Sequence, residues 1–280
     1  MFNRLTRWPA IALALTAAVV TWAPGTARAE PVLPDFGEAT FDPGAAIDNT
    51  YFPQVPGTVR RYRGDVDDDG ETVVVEIEDR VLSRTETVNG VQATVVRARE
   101  WENGRLVEDT FDYFAQDTRG NVWYLGEDST AFHEDGSTST AGSWRAGANG
   151  AEAGFIMPAF PPTIGFNYYQ EHAPNDEALD QATIVSLDAT ATTPAGTFTN
   201  VLDTTETSEL EPDEFEHKLY ARGIGLVLIQ EDFEGGEPQA VFALQSVTAI
   251  PLPPAVVPGL ASVIAAMGWT TWQRRRRNRQ

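Results

Sequence analysis

Short runs of β-favouring residues alternate with turn residues from Asn49 to about Ala249. The runs predict eleven strands, near residues 57–64, 72–86, 91–101, 105–116, 121–126, 164–172, 181–192, 197–207, 214–222, 226–233 and 239–248. Asn89-Gly90 and Asn103-Gly104 are typical of two-residue hairpin turns, whose central residues need positive φ. Apolar residues do not recur with a helical period in this region. The pattern therefore predicts an all-β domain over residues 49–249.

Strands joined by short turns are expected to form an antiparallel meander. A sheet this long leaves exposed edges unless it curls or closes on itself. We therefore predict a strongly curved sheet or an open barrel. A two-sheet β-sandwich is the alternative, because regularly spaced turns are equally typical of it.

The first 29 residues have the pattern of a secretory signal peptide. Basic residues precede an apolar stretch, and small residues precede a cleavage position after Ala29. The chain is therefore expected to be exported. Residues 30–48 are rich in Pro, Gly, Ala and acidic residues without periodicity, and they predict a linker before the β-rich domain.

The last segment, residues 250–280, joins an apolar stretch to a basic end. The stretch from Ala255 to Trp272 has no ionisable residue, and its length is near the lower limit of about 17 residues for crossing a bilayer as a helix. It predicts a transmembrane helix at about 255–272. Arginines follow at positions 274–277 and 279, so the positive-inside rule predicts a cytoplasmic C-terminus. The residues between the signal peptide and this last segment, here called the body, are then expected outside the cytoplasm.

Before this predicted helix stand Pro251, Leu252, Pro253, Pro254 and Ala255. With the short apolar span and the polyarginine end, they resemble the PEP-CTERM sorting signals of the Val-Pro-Leu-Pro-Ala type. Exosortases process such signals in Gram-negative bacteria that make exopolysaccharide. The resemblance implies that an exosortase-type transpeptidase cuts near residues 251–255 and that the helix is a transient inner-membrane anchor. The body would then reach the outer envelope, the cell surface or the extracellular matrix. The chain has no Glu after the first proline, which leaves the subtype open.

Several motifs of the body resemble an uncharacterised family of exported bacterial proteins. They read YFP at 51–53, DYFAQD at 112–117, GNVWYLGED at 120–128 and GSWRAG at 142–147. The later runs PAGTF at 194–198 and YARGIGLV at 220–227 are similar to the closing strands of the curved sheets in the LolA and LolB lipoprotein carriers. The resemblance implies a curved β-sheet but does not imply any activity.

Charge is distributed unevenly between the ends and the body. The whole chain has a net charge of −21, but residues 1–29 and 251–280 contain eight arginines and no acidic residue. The body keeps all 41 acidic residues and only 12 of the 20 basic ones, which gives it a net charge of −29. Such a surface repels nucleic acid and attracts cations.

Aromatic residues are concentrated in the middle of the body, and two interpretations stay open. They pack in the core, or they line a cavity or groove for glycan or lipid, as curved antiparallel sheets often enclose a ligand space. Trp123, Trp144 and Tyr169 are the candidate ligand-binding residues on the second interpretation.

Asp65, Asp67 and Asp69 have the spacing of the first calcium ligands of an EF-hand loop, and Glu76 stands at its twelfth position. Residues 72–77 read as a strand, however, which would carry Glu76 roughly 20 Å from Gly70. Two alternatives remain: an acidic hairpin turn with Gly70 at positive φ, or a weak calcium site formed by the three aspartates.

Catalytic motifs are absent from the sequence. His133, His172 and His217 lack zinc-ligand spacing, and no Gly-x-Ser-x-Gly elbow occurs. We therefore expect a non-catalytic exported protein that binds glycan, lipid or cations in the envelope or extracellular matrix. The alternative is a hydrolase of extracellular polymer that uses carboxylates near Asp112 to Asp128. An accessible cleft with two carboxylates roughly 5 to 9.5 Å apart would favour the hydrolase.

Overall fold

A computed structural model describes residues 30–68, 70–210 and 215–249 of the chain. The predicted signal peptide and the whole C-terminal segment, with the sorting residues Pro251 to Ala255 and the helix at 255–272, lie outside the described residues. Among the described residues, no helix has the length and apolar character needed to cross a membrane.

Fifteen antiparallel strands form one sheet in the described part of the chain. The first five are β1 (Thr58–Asp68), β2 (Glu71–Val88), β3 (Val91–Glu102), β4 (Arg105–Gln116) and β5 (Val122–Phe132). The middle five are short: β6 (Thr138–Ser139), β7 (Trp144–Arg145), β8 (Glu152–Met157), β9 (Asn167–Tyr169) and β10 (Glu171–His172). The last five are β11 (Asp180–Thr193), β12 (Gly196–Ser208), β13 (Glu216–Ala221), β14 (Gly225–Glu234) and β15 (Glu237–Ala249).

The strand order confirms the predicted meander. Each long strand pairs with its neighbours in sequence, in the order β1 to β5 and again β11 to β15. The two series meet where β1 pairs with β15, with Thr58 opposite Ala249. The strands belong to one sheet, so the two-sheet sandwich was the wrong alternative. Asn89-Gly90 and Asn103-Gly104 join β2 to β3 and β3 to β4, with positive φ at all four residues, as the turn pattern predicts.

A short segment around Gln170 brings the two ends of the sheet together into a nearly closed barrel. β9 pairs with β11 at one end of the sheet, while β10 pairs with β8 at the other. The backbones approach closely here, because a Cβ on Gly154 would lie 2.2 Å from the Tyr169 carbonyl oxygen and 2.6 Å from that of Gln170. Glycine at position 154 is therefore required for the closure.

Residues 30–48, expected to be a linker, pack against the barrel. Val32 pairs in parallel with Tyr168, and a 3₁₀-helix (Phe36–Glu38) begins after Asp35, whose carboxylate accepts a hydrogen bond from the Gly37 amide at 2.8 Å. The Phe36 ring contacts the Trp123 ring edge-on at 5.3 Å between centroids. The segment lacks periodicity because single apolar side chains, and not a regular face, hold it in place.

Candidate functional site: the polar interior of the barrel

A cavity of about 100 Å³ lies inside the barrel. Its apolar and aromatic lining is formed by Phe52, Tyr62, Val96, Ala98, Phe114, Tyr124, Ile156, Tyr220 and Leu226. Its polar lining is formed by Gln54, Arg60, Asp79, Asp112, Glu206 and Lys218. These side chains come from opposite sides of the barrel, and strand alternation points them inward. Ionisable groups are rarely buried unless they are paired, so the partners of each group decide what the site can do.

Asp112 and Glu127 lie directly opposite each other across β4 and β5. Both contact the hydroxyl of Tyr124, at 2.6 Å from Asp112 and 2.8 Å from Glu127. A phenol can donate only one hydrogen bond, so one of the two carboxyl groups must itself carry a proton and donate to the phenol oxygen. Burial raises the pKa of Asp112, and it raises the pKa of Glu127 to about 8, which agrees with a shared proton at neutral pH.

Glu171 adds a third carboxyl group to this pair. Burial and the charge of Glu127 raise its pKa well above the ordinary value. Its Oε1 atom, together with both amide atoms of the neighbouring Gln170, finds no hydrogen-bond partner within the described residues. The two side chains are only 2% and 0% exposed. Unpaired buried polar atoms of this kind are costly, so a polar group that bonded to them would stabilise this side of the barrel interior.

Lys218, the lysine of β13, is held by two carboxylates on its side of the cavity. Its Nζ lies 2.9 Å from Glu206 and 2.7 Å from Glu216. Burial alone would lower the pKa of Lys218, but the charges of Glu206 and Glu216 raise it well above the ordinary value. Tyr220 also donates a hydrogen bond to Glu206 at 3.2 Å. The positive charge of Lys218 is therefore fully matched by its own neighbours.

Arg60 is the other cation of the cavity lining, and neutral oxygens bind its guanidinium. It donates to the carbonyls of Ile224 at 2.8 Å and Pro53 at 2.6 Å, and to the side chain of Gln54 at 3.1 Å. Burial raises the pKa of Asp79 to about 6, while the charge of Arg60 opposes that shift. The lining therefore contains more carboxyl groups than its described cations neutralise.

The three aromatic residues that the sequence suggested as ligand-binding do not line the cavity. Trp123 is fully buried and donates its indole N–H to Asp117 at 3.0 Å. Trp144 is buried against the Tyr124 ring at 5.4 Å between centroids, and its indole N–H has no partner within the described residues. Tyr169 is partly exposed and donates to Glu209. Because none of the three borders the cavity, the structure does not bring them together around it.

The acidic turn forms the tip of the β1–β2 hairpin. Asp65 and Asp67 are exposed on β1, Asp69 lies outside the described residues, and Gly70 has a φ of 88°. Asp67 accepts a hydrogen bond from the Gly70 amide at 3.0 Å. Within the described ranges, no three His, Asp or Glu side chains are grouped so that they could hold a metal ion. The hairpin turn is confirmed, and the weak calcium site stays a prediction that titration with millimolar calcium would test.

Sequence reasoning named the carboxylates near Asp112 to Asp128, but it missed the other charged residues of the cavity, Arg60, Asp79, Glu206 and Lys218. Asp79 follows Ile77 and precedes Val81, both buried, at the inward positions of β2. An ionisable residue in an apolar alternation is a signal of a charge that faces the interior. The sequence gives no such signal for Glu171, because its place beside Glu127 depends on closure of the barrel.

No protein-family model matches the chain, and no curated protein is similar enough in sequence to count as a relative. Two solved structures are similar to it. One is a Bacteroides fragilis protein with a YmcC-like fold, provisionally described as exported: 15% identity, TM-score 0.41, 71% of this chain and 99% of that chain covered. The other is a Parabacteroides distasonis protein provisionally described as a lipoprotein: 18% identity, TM-score 0.38, with coverage of 71% and 99%. Similarity at this level assigns neither a family nor a function.

Proposed function

We propose that this chain is a non-catalytic exported protein whose barrel interior binds a small cation. The observation that carries the proposal is the charge of the cavity, where Asp79, Asp112 and Glu206 face Arg60 and Lys218. Because Lys218 is already held by Glu206 and Glu216, Asp112 and the adjacent Glu127 lack a cationic partner among the described residues. The proton that the two carboxyl groups share stays between them until a cation takes its place.

The size of the cavity supports a small cation over the other ligand classes that the sequence left open. Pockets for drug-sized molecules measure about 300–1,000 Å³, whereas this cavity measures about 100 Å³. The comparison favours a small ligand over a glycan or a lipid chain. A cation of roughly four non-hydrogen atoms fits, since a cavity of about 150 Å³ holds benzene. Aromatic side chains in the lining, among them Tyr62, Tyr124 and Tyr220, suit an ammonium group, because aromatic rings attract cations.

Calorimetric titration of the full chain with methylammonium tests the proposal. Saturable binding is expected, and Asp112→Asn should weaken it at least ~10-fold because the variant removes the unmatched carboxylate. Asp128→Asn is the matched control, since Asp128 lies on β5 next to Glu127 but pairs with Arg145 outside the cavity. If both variants bind like the parent chain, or if methylammonium does not bind, the proposal is wrong.

A hydrolase is the second candidate function, because Asp112 and Glu127 meet across β4 and β5 as a catalytic carboxylate pair would. Both are only 6% exposed, so a polymer chain has no path to them in this conformation. Release of reducing sugar from extracellular polysaccharide by the full chain, lost in Asp112→Asn and kept in Asp128→Asn, would favour the hydrolase over the binding protein.

The proposed localisation depends on the two ends of the sequence. We expect export through the signal peptide at 1–29, followed by exosortase processing near Pro251 to Ala255 that leaves the barrel on the cell surface or in the exopolysaccharide matrix. Mass spectrometry of the mature protein from its native host should find a C-terminus within or just before this stretch. An intact arginine-rich end would contradict processing and leave a simple membrane anchor.

A further inference from the structure

Three arginines on the outer face of the sheet converge on one carboxylate. Arg61 of β1 and Arg99 of β3 lie directly opposite Glu78 of β2, one on each side. Arg61 and Arg99 each approach the Glu78 carboxylate to 2.5 Å, and Arg80 approaches it to 3.2 Å. A single carboxylate cannot neutralise three guanidinium groups.

The next row of the same face adds a fourth arginine. Arg97 lies directly opposite Arg80 across β2 and β3, and it is paired with both oxygens of Asp109. Like charges directly opposite each other destabilise a strand pair. The four arginines Arg61, Arg80, Arg97 and Arg99, here called the arginine patch, thus face two carboxylates in a body whose net charge is −29.

Exposure shows which charges face the solvent. The side chains of Glu78 and Asp109 are 8% and 16% exposed, while those of the four arginines are 25–48% exposed. The carboxylates therefore lie beneath the guanidinium groups. Burial alone would raise the pKa of Glu78, but hydrogen bonds from Arg99 and Arg80 and the charge of Arg61 lower it, so Glu78 stays ionised.

Aromatic rings restrict two of the guanidinium groups further. Arg99 lies over the ring of Trp101 at 4.9 Å, and Arg97 lies over that of Phe111 at 5.4 Å. An ion-pair ladder that only stabilised the sheet would need one arginine for each carboxylate. The patch has two more, held in place with N–H groups that their carboxylates do not occupy.

We propose that the arginine patch binds an oxyanion, namely a phosphate or sulfate group. Guanidinium forks match such anions with paired, charge-assisted hydrogen bonds. A bound dianion would neutralise the local excess of two positive charges and relieve the repulsion between Arg80 and Arg97. The site is independent of the barrel interior, and it interrupts a surface that the net charge alone predicts to repel anions.

Calorimetric titration of the full chain with sodium phosphate and sodium sulfate, at ionic strength held constant with sodium chloride, tests the proposal. Saturable binding is expected, weakened at least ~10-fold by Arg99→Gln. Arg61→Gln should act in the same way with less risk to folding, because Arg61 is the most exposed of the three and Glu78 keeps Arg80 and Arg99. Circular dichroism verifies that both variants are folded.

Arg105→Gln is the matched control, because Arg105 is an exposed arginine of β4 that forms its ion pair with Glu102, outside the arginine patch. It should bind phosphate like the parent chain. Glycerol 3-phosphate in a parallel titration distinguishes between the two sources of the oxyanion. If it binds more tightly than inorganic phosphate, the natural ligand is a phosphate group carried by a larger molecule. If it binds more weakly, the natural ligand is the free ion. Absence of saturable binding at tens of millimolar, or equal loss in Arg105→Gln and Arg99→Gln, overturns the proposal.

Discussion

Asp112 and Glu127 share a single hydroxyl, that of Tyr124, from opposite positions on β4 and β5. The arrangement requires a proton between two buried carboxyl groups, so the folded barrel holds protons that the unfolded chain releases at neutral pH. The stability and the ligand binding of the barrel both depend on this relationship.

We expect the free energy of unfolding to fall as pH rises from about 4 to about 8. Burial raises the pKa of Glu127 from 4.5 to about 8 and those of Asp79 and Asp180 from 3.8 to about 6. A carboxyl group whose pKa is raised by folding gives its full stabilisation at pH values below the pKa of the unfolded chain. This stabilisation is lost as the pH rises to the pKa of the folded state. Each proton held only by the native state changes stability by about 1.4 kcal/mol per pH unit.

Urea unfolding at pH 6 and pH 8 measures this slope, and Glu127→Gln should flatten it. Asp128→Asn should leave it unchanged, because hydrogen bonds from Arg145 and Tyr113 overcome burial and lower the pKa of Asp128, which places its effect in the acid range. A slope that Glu127→Gln does not alter would show that Glu127 is ionised in the native state.

Lys218→Met should destabilise the barrel by about 3–5 kcal/mol, because it leaves Glu206 and Glu216 without their shared cation. Adding Glu206→Gln to this variant should restore part of the loss. Arg84→Met, which breaks an exposed pair with Glu86, should change the free energy of unfolding by no more than about 0.5 kcal/mol. Equal effects of the two single changes would contradict the proposed burial of Lys218.

Gly154→Ala should destabilise the fold by about 1–3 kcal/mol, because the added methyl group would overlap the carbonyl oxygens of Tyr169 and Gln170. Thermal unfolding measures the change. Gly37→Ala is the control: its methyl group would meet only the side chain of Asp35, at 3.1 Å, which a small shift of that flexible side chain accommodates. Similar melting temperatures for the two variants would argue against a tight closure at Gly154.

Trp123→Phe should cost more stability than Trp144→Phe, although both indoles are buried. Trp123 loses a hydrogen bond to the carboxylate of Asp117, worth about 1.5–3 kcal/mol, in addition to packing. Trp144→Phe removes a buried N–H that has no partner within the described residues, which offsets part of its packing loss. Chemical denaturation of both variants gives the difference, and the opposite order would refute this assignment of hydrogen bonds.

Sequence pattern predicted the long strands well because turn chemistry fixes their ends. The strand predicted at 105–116 has the same bounds in the structure, since Asn103-Gly104 must precede it. The strands β6, β7 and β8 were missed, because the first two are two residues long and show no alternation. The packing of residues 30–48 was missed for a related reason, as its contacts are single side chains such as Phe36.

The interior of the barrel was less predictable than its strands. Alternation correctly separates the face of Asp112 from that of Tyr113, but it does not reveal which distant strand supplies a neighbour. Glu171 meets Glu127 only because β10 pairs with β8, and Lys218 meets Glu206 through the pairing of β12 with β13. Such encounters depend on strand register, which one sequence leaves open.

The pairing of β1 with β15 has a consequence for the order of folding. All other long strands pair with sequence neighbours, so their hairpins close over short loops, whereas Thr58 and Ala249 meet across about 190 intervening residues. Loop-closure entropy makes such a contact slow to form. Two locally formed half-sheets are therefore expected to exist before the seam between them, and their unpaired outer strands would be the segments most exposed to aggregation until it forms.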